Sequence, residues 1–543
     1  MSVPYLSESL PPRRPYLSKR SRASCIILSA LLCVAVGGLA LFGRINASQG
    51  LPQYIQEFDV PTSNAAPLAI TVDSHGFVWF TESNTAKLAK FDPAERAFTE
   101  YSVPTPGDMW GVAVDRNGKV WFTQYSGRGS VNPGGAIVPG GEGRLVLFDP
   151  AKENFTVIGI PGAGSFPMRL TVDEQNRIWF TEFLGNKIGF YDQASGQLLE
   201  YQIPTNSSGP ADLAFDSQGK LWFSEAYAQS VAQFSPESKT FVEYQLGSRI
   251  FSPVGIAPDQ KGHVWVADHG GNWIGEFDPA TDKLSRYPTH FPPKDVYPLS
   301  IPNGLLVDGM GKIWFTEHGG NSIGYIDPTR INMLEYRIPS GPVSTALWLA
   351  SAPNGDIWFT EWSANKIGVV RASQPIPLSL SASKNTLQLG VGEQTLESLA
   401  FVTSQEIVGN GTFRYALTSY NPDELSVIFS PQYPSLSGPS TMSVQAEILP
   451  SATMRAGNYT VSFGIDAGSI LIWTIVQAHV VAPSQVGDSL LENPILFAVS
   501  GIVLVVILGG FLFRELSRRG LREIKKPLKQ IPKESSLKTK QPH

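Results

Sequence analysis

The stretch that decides the fold is GKIWFTEHGGNSIGYIDP, residues 311–328. Variants of this stretch recur along the chain, and each has a tryptophan at the same place. These marker tryptophans are Trp79, Trp121, Trp179, Trp222, Trp265, Trp314 and Trp358. Their successive separations are 42, 58, 43, 43, 49 and 44 residues. A unit that recurs at this spacing indicates a repeat architecture.

Each unit contains short apolar runs that are rich in β-branched and aromatic residues and are bounded by Gly, Asn, Asp or Pro. Such runs predict β-strands, and no helical period lies between them. Four short strands per unit are typical of a β-propeller blade. The sequence therefore predicts an all-β fold in which residues 54–372 form a seven-bladed β-propeller.

The two ends of the repeat region indicate how the ring closes. The last unit stops without its fourth run, whereas an isolated copy of that run, EFDVP at Glu57–Pro61, precedes the first unit. We expect this N-terminal strand to complete the last blade. Closure in this way removes a free strand edge.

A second domain is expected after the repeats. The repeats end at Arg371, and the Pro-containing stretch SQPIPL follows as a short linker. Residues 378–482 then show alternating strands, which predict a smaller immunoglobulin-like β-sandwich without a cysteine pair. We expect this domain to act as a stalk between the propeller and a membrane.

Two apolar stretches flank the predicted domains, at residues 24–43 and 493–513. Each has about 20 residues, which is enough to span roughly 30 Å of hydrocarbon as a transmembrane helix. Basic tails at residues 1–23 and 514–543 lie outside them, so the positive-inside rule predicts cytoplasmic termini and an extracellular middle. A cleaved signal peptide is the alternative for the first stretch.

The charge balance restricts the partners. Without its two basic tails the chain has 27 Lys+Arg against 43 Asp+Glu, and such an acidic protein is a poor binder of nucleic acid. The expected partners are membrane lipid, through the two spans, and an extracellular small molecule, peptide or surface protein. Five Asn-x-Ser/Thr triplets also fit a surface glycoprotein. They begin at Asn46, Asn154, Asn206, Asn410 and Asn458.

The repeated WFTE, NKIG, DP and EYxIP elements resemble the virginiamycin B lyase (streptogramin lyase) family of β-propellers over about residues 54–372. The resemblance implies a carbon–oxygen lyase that opens a cyclic depsipeptide at its ester bond by elimination, with Mg²⁺. It also implies a histidine general base with a second histidine and acidic groups nearby. In the family, these histidines follow a proline at the start of the innermost strand of the last two blades.

This chain departs from the family at those positions. IPNGLL places Asn303 there, and STALWLA places Leu347, or Ala346 if the turn is shifted. The other five blades have Leu68, Trp110, Met168, Ala211 and Val254. A general base needs a titratable group, which neither Asn303 nor Leu347 has. We therefore expect a surface binding or scaffold module. The alternatives are a lyase with relocated catalytic groups and a metal-dependent lactonase-type hydrolase.

Polar residues end the second run of every blade. Because consecutive strands are antiparallel, this turn shares a face with the start of the first strand. The residues are Glu82, Gln124, Glu182, Glu225, Asp268, Glu317 and Glu361. Carboxylates that face a shared channel are ligands for Mg²⁺ or Ca²⁺, and Glu82, Glu182, Glu225, Glu317 and Glu361 are the candidates. The alternative is that each one closes its own turn.

Two histidines follow acidic residues in matching turns, DHGGN and EHGGN, of neighbouring blades. His318, Glu317 and His269 are the candidate catalytic residues, since paired His and carboxylate groups serve acid–base or metal chemistry. The alternative is that both histidines are solvent-exposed turn residues. The residues expected to line the ligand-binding face are Asn303, Asp268, Trp362 and Gln124.

Overall fold

A computed structural model describes residues 51–126, 141–289, 299–330, 332–342, 344–404, 411–417, 424–434 and 439–482. Within these ranges the chain forms β-strands and one short 3₁₀ helix at Gly247–Arg249, which confirms the all-β prediction. No helix in these ranges has the length and apolarity needed to cross a membrane. The two predicted spans and both basic tails lie outside the described residues.

The repeat region folds into seven blades of four antiparallel strands each; six blades are separate sheets, and blade 6 is part of an eight-stranded sheet. Blade 1 contains β2 (Pro67–Val72), β3 (Val78–Glu82), β4 (Lys87–Asp92) and β5 (Ala97–Ser102). Blade 2 contains β6 (Asp108–Val114), β7 (Val120–Tyr125), β8 (Glu142–Asp149) and β9 (Asn154–Ala163). Blade 3 contains β10 (Pro167–Val172), β11 (Ile178–Glu182), β12 (Lys187–Asp192) and β13 (Gln197–Gln202). Blades 4 and 5 contain β14 (Pro210–Phe215), β15 (Leu221–Glu225), β16 (Ser230–Ser235) and β17 (Thr240–Gln245); and β18 (Pro253–Pro258), β19 (Val264–Asp268), β20 (Trp273–Asp278) and β21 (Lys283–Pro288). Blades 6 and 7 contain β22 (Pro302–Val307), β23 (Ile313–Glu317), β24 (Ser322–Asp327) and β25 (Asn332–Arg337); and β26 (Ala346–Ser351), β27 (Ile357–Glu361), β28 (Lys366–Val370) and β1 (Ile55–Asp59).

In six of the seven blades the marker tryptophan is held by an aspartate in the turn between the first and second strands, and blade 7 has Ala352 at that position. In blade 6, Asp308 Oδ1 accepts hydrogen bonds from the N–H groups of Met310 and Lys312, and Asp308 Oδ2 accepts one from Trp314 Nε1 at 2.8 Å. The same indole bond forms in blades 1 to 5. Each large side chain is thereby buried without an unpaired N–H, so the aspartate six residues earlier belongs to the repeat.

A hydroxyl group in the second strand joins each of six blades to the next. In blade 6, a β-bulge shifts the register between Pro302 and Leu305. The Thr316 hydroxyl accepts a hydrogen bond from the N–H of Gly304 beside this bulge and donates one to the Leu347 carbonyl of blade 7. The hydroxyls that bridge neighbouring blades belong to Thr81, Thr123, Thr181, Ser224, Thr316 and Thr360.

The ring closes as predicted. Strand β1 pairs antiparallel with β28, with Ile55 opposite Val370 and Asp59 opposite Lys366. The N-terminal strand therefore completes the blade that is built from the C-terminal end of the repeats. This pairing confirms the expectation based on the isolated EFDVP copy.

The second domain has eight strands in two sheets. They are β29 (Leu378–Ala382), β30 (Thr386–Gly390), β31 (Thr395–Thr403), β32 (Thr412–Leu417), β33 (Leu425–Ser430), β34 (Ser440–Pro450), β35 (Gly457–Asp466) and β36 (Ile470–Val481). One sheet has the order β29-β31-β34-β33, and the other contains β30, β36, β35 and β32. Side chains from both sheets, including Phe401 and Phe463, belong to one buried cluster.

The second sheet of this domain is continuous with blade 6. Strand β36 pairs antiparallel with β25, so that Trp473 lies opposite Met333. Beside this pairing, Arg337 Nη2 lies 2.7 Å from Asp466 Oδ2, and Arg414 binds the same carboxylate oxygen. The second domain thus extends blade 6 by hydrogen bonding, which the short linker after Arg371 did not indicate.

Removing Trp473 should destabilise the propeller and the second domain together. Its side chain is fully buried and packs in the same cluster as Trp265 and Phe315 of blades 5 and 6. We expect Trp473→Ala to lower the free energy of unfolding by about 3–5 kcal/mol in one shared transition, as measured by urea denaturation. Leu396→Ala, at an exposed side chain of β31, is the control. Two transitions of which only one shifts would contradict the shared core.

Candidate functional site

The predicted site residues lie where the second strand of each blade ends beside the start of the first strand. Glu82 pairs with Pro67, Glu317 with Pro302 and Glu361 with Ala346, and the other blades follow the same register. The expected common face is therefore present. All seven side chains are nevertheless fully buried, so the carboxylates do not line an open channel.

Each of the five buried glutamates has a second glutamate of its own blade as its electrostatic neighbour. The pairs are Glu82–Glu100, Glu182–Glu200, Glu225–Glu243, Glu317–Glu335 and Glu361–Glu57. The second members are the glutamates of the EYxIP-type fourth strand, which is the sequence signal for this pairing. The two blades without a glutamate at the turn have Val157 and Arg286 in the fourth strand instead, so the two positions change together.

The two remaining turn residues satisfy their polar atoms locally. Asp268 accepts hydrogen bonds from the backbone N–H groups of Phe251 and Ser252. Gln124 accepts a hydrogen bond from the Thr105 hydroxyl and donates one to the Thr105 carbonyl. Both residues thereby hold the segment that precedes their first strand. This arrangement matches the interpretation in which each residue closes its own blade.

Burial makes these carboxyl groups weak acids. Together with the neighbouring glutamates, it raises the pKa of Glu82 and of Glu225 to about 7 and that of Glu361 to about 8. Burial likewise holds the pKa of Glu317 well above its ordinary value. A protonated carboxyl is a poor ligand for a hard cation. Within the described ranges, no three of these glutamates bring ligand atoms together.

The two candidate histidines do meet. The ring centroids of His269 in blade 5 and His318 in blade 6 lie 5.6 Å apart. Both side chains are half-buried, which differs from the exposed-turn alternative. Burial lowers the pKa of His269, and burial together with the nearby His269 lowers the pKa of His318 to about 4. Both imidazoles are therefore neutral at pH 7.

The other predicted face residues are divided between structure and surface. Asn303 is buried, and its side-chain amide donates a hydrogen bond of 2.7 Å to the Leu347 carbonyl of blade 7. Trp362 is 43% exposed at the turn that follows Glu361. Asn303 thus ties blade 6 to blade 7, whereas Trp362 is open to a ligand.

The centre of the ring contains a charged cluster that the sequence analysis missed. Arg169 of blade 3 lies 3.3 Å from Asp212 of blade 4, and its guanidinium carbon stands 3.8 Å from the centre of the Trp348 ring of blade 7. Asp212 also accepts a hydrogen bond from the N–H of Ile256 in blade 5. Blades 3 and 7 are not neighbours, so the Arg169–Trp348 contact crosses the ring and fills its centre.

A weak signal for this cluster exists in the sequence. In the first strand, the residue directly after the one that corresponds to Asn303 is small in four blades and large in three. The small residues are Ala69, Gly111, Gly255 and Gly304, and the large ones are Arg169, Asp212 and Trp348. The small residues let neighbouring first strands approach: a Cβ on Gly255 would lie 2.1 Å from the Asn303 carbonyl oxygen.

An aromatic row covers the same face over blades 2 to 4. The Phe166 ring contacts Trp110 at 5.4 Å, Tyr125 at 4.9 Å and Phe183 at 6.1 Å between centroids. Phe183 in turn contacts Tyr227 at 5.0 Å, and Tyr227 is 63% exposed. The row presents rigid apolar surface that ends in an accessible ring.

Comparison with known proteins points to one family. A model of the virginiamycin B lyase family matches residues 150–295. A virginiamycin B lyase from Nocardia farcinica is 38% identical over 96 residues, which are 18% of this chain and 28% of that relative's length. A solved streptogramin B lyase structure is 27% identical with a TM-score of 0.50, covering 58% of this chain and 96% of that structure. A virginiamycin B lyase from Staphylococcus aureus is 25% identical with a TM-score of 0.49, covering 58% and 98%.

The buried carboxyl pairs should make stability depend on pH. The pKa values of the turn glutamates Glu82, Glu182, Glu225, Glu317 and Glu361 are raised on folding, so at these positions the folded chain binds more protons than the unfolded chain above about pH 5. The free energy of unfolding should therefore fall as the pH rises from about 5 to about 9, by on the order of 1 kcal/mol for each unit of pKa shift. Glu361→Gln should flatten this dependence in urea titrations, and the exposed Glu95→Gln should not. An unchanged slope in Glu361→Gln would contradict the protonated pair.

The central ion pair gives a second prediction. Asp212→Ala leaves the Arg169 guanidinium buried without its partner, so we expect a loss of about 3–5 kcal/mol in the free energy of unfolding. The double variant Arg169→Met/Asp212→Leu removes both charges and should recover most of this loss in the same denaturation experiment. A loss below about 0.5 kcal/mol for Asp212→Ala, as at a surface pair, would contradict a buried cluster.

Proposed function

We propose that this virginiamycin B lyase-like β-propeller is a binding module that holds a ligand on the face of His269, His318 and Trp362 without opening it. The observation that carries the proposal is the absence of histidine after the start of all seven first strands. At that place in blade 6, the amide of Asn303 is bound to the Leu347 carbonyl and cannot accept a proton. The family chemistry therefore lacks its general base.

The shape of this face of the propeller favours a ligand that binds at its surface. Arg169, Asp212 and Trp348 fill the centre of the ring, so a ligand cannot enter deeply. Around that centre, Tyr227 and Trp362 expose aromatic rings that belong to different blades. Rigid aromatic rings offer large contact area at small entropic cost. We therefore assign the face to a small molecule or peptide that carries apolar rings, or to a surface protein that presents such groups.

A rearranged lyase is the second candidate. It is favoured by the neutral pair His269 and His318, because an imidazole with a lowered pKa can act as a general base at pH 7. In this candidate, Mg²⁺ or Ca²⁺ would bind through the turn carboxylates once they are ionised. A lactonase-type hydrolase would need the same ionised carboxylates, and their burial opposes that state.

We also propose a location for the protein. The apolar stretches at residues 24–43 and 493–513 support two membrane spans with cytoplasmic tails, which would place the propeller outside the cell. We assign the second domain to the immunoglobulin-like class because it has mostly antiparallel strands in two sheets that share a core. Glycosylation at the Asn-x-Ser/Thr triplets is part of the same proposal.

The experiment uses the full-length protein with a streptogramin B-type cyclic depsipeptide and Mg²⁺. Equilibrium dialysis measures binding, and chromatography with mass detection measures product. We expect a bound fraction without product, and a loss of binding of at least about tenfold in Tyr227→Ala/Trp362→Ala, because exposed aromatic residues dominate such contacts. Ile428→Ala, at an exposed side chain of the second domain, is the matched control.

The products distinguish the candidates. A ring-opened product of unchanged mass that disappears in Glu317→Gln/His318→Ala would establish elimination and overturn the binding-only proposal. A product heavier by one water would establish hydrolysis. If the Tyr227→Ala/Trp362→Ala variant still binds the ligand, the assignment of the ligand to this face is wrong.

A further inference from the structure

Blade 5 contains a group of metal-binding side chains at the opposite end of its second strand from His269. Asp259, His263 and Glu276 each offer one ligand atom, and these atoms lie within 4.8 Å of one another. Across the described residues, no other three His, Cys, Asp or Glu side chains meet in this way. The His263 side chain is 30% exposed and that of Glu276 is 16% exposed, so the group is reachable from solvent.

The repeat shows that this group is particular to blade 5. Two positions in each blade show this. One is the residue two positions before the marker tryptophan, and the other is the third-strand residue that pairs with that tryptophan; their side chains face each other. In other blades the pair joins a cation to an aromatic ring: Phe77 with Lys90 in blade 1 and Lys312 with Tyr325 in blade 6. In blade 5 the two positions hold His263 and Glu276. Neither folding of the repeat nor burial of the tryptophan requires this change.

Neighbouring groups orient all three side chains. The Tyr287 hydroxyl donates to Glu276 Oε2 at 2.6 Å, which leaves Oε1 directed at His263 Nδ1 at 2.7 Å. Trp265 Nε1 donates to Asp259 Oδ2 at 3.0 Å, as in the other blades. Metal ligands in proteins are commonly held by such outer hydrogen bonds. The donors are therefore arranged before an ion arrives.

We propose that Asp259, His263 and Glu276 form a binding site for a divalent transition-metal ion such as Zn²⁺. One imidazole nitrogen and two carboxylates suit Zn²⁺ and its first-row neighbours, whereas Mg²⁺ and Ca²⁺ prefer sites made of oxygen alone. Bonds of about 2.1 Å fit three ligand atoms that lie this close after small side-chain rotations. Three protein ligands leave the remaining coordination position to water.

A cavity lies beside the group, with Asp259 in its lining. It has a volume of about 270 Å³ and is lined by residues of blades 4, 5 and 6, among them Asp216, Asp259 and Asp308. The negative lining favours the approach of a hydrated cation. Because the cavity adjoins the turns at the far end of the second strands, the ion and the ligand of the proposed binding face would not compete.

The test measures Zn²⁺ binding to the full-length protein by isothermal titration calorimetry, with excess Mg²⁺ present. We expect one Zn²⁺ per chain that is lost in His263→Lys and weakened at least tenfold in Glu276→Gln. Lysine occupies the position of His263 in blades 2, 4 and 6 (Lys119, Lys220 and Lys312), so this variant should fold. Tyr287→Phe removes only the hydrogen bond to Glu276 and should weaken binding roughly 10–100-fold.

The double variant His269→Asn/His318→Asn is the matched control, since it removes two imidazoles from the other end of the blades. It should keep the bound Zn²⁺. Loss of Zn²⁺ in this control, retention of full stoichiometry in His263→Lys, or no Zn²⁺ binding by the unaltered protein would each overturn the proposal. Equal affinity of Tyr287→Phe and the unaltered protein would refute the orienting role of Tyr287.

Discussion

The propeller depends on the hydroxyl group in the WFTE segment. In blades 1 to 4 and 6 this hydroxyl accepts a hydrogen bond from its own first strand and donates one to the next blade, as Thr316 does. The Thr360 hydroxyl donates to the Leu68 carbonyl and so joins the last blade to the first. Blade 5 has Ala267 in this place, and there Gly255 lets the first strands of blades 5 and 6 approach more closely. The polar atoms at the bulges are thus satisfied without water.

The same face shows how a repeat restricts chemistry. A carboxyl group that recurs in five blades is fixed by a partner in each blade, as with Glu361 and Glu57. Burial raises the pKa of such a group and so disfavours its ionised form. Chemistry that differs between blades depends on residues outside the repeat, such as His269, His318 and Trp362. The binding proposal rests on these residues.

Much of the fold could be predicted from the sequence because the repeat is local. The spacing of the tryptophans predicted the blades, and the isolated EFDVP copy predicted how the ring closes. The antiparallel order of the strands predicted that the turn residues share a face with the start of the first strands. The pairing of Glu317 with Glu335 was not predicted, although both glutamates recur in the repeat, because they lie on strands that are not adjacent in the blade. The contact between Arg169 and Trp348 joins residues far apart in sequence and has no period. The pairing of β25 with β36 likewise follows no repeat.

The shared sheet also determines how a pulling force would pass through the molecule. Strand β36 is bonded to β35 over most of its length, to β25 in its first half and to β30 near its end at Val481. Tension applied at Val481 acts along the strand, so it loads these rows of hydrogen bonds in shear and not one bond at a time. A tether at this end would therefore pull on blade 6 as a unit, and the second domain would transmit the force without extending.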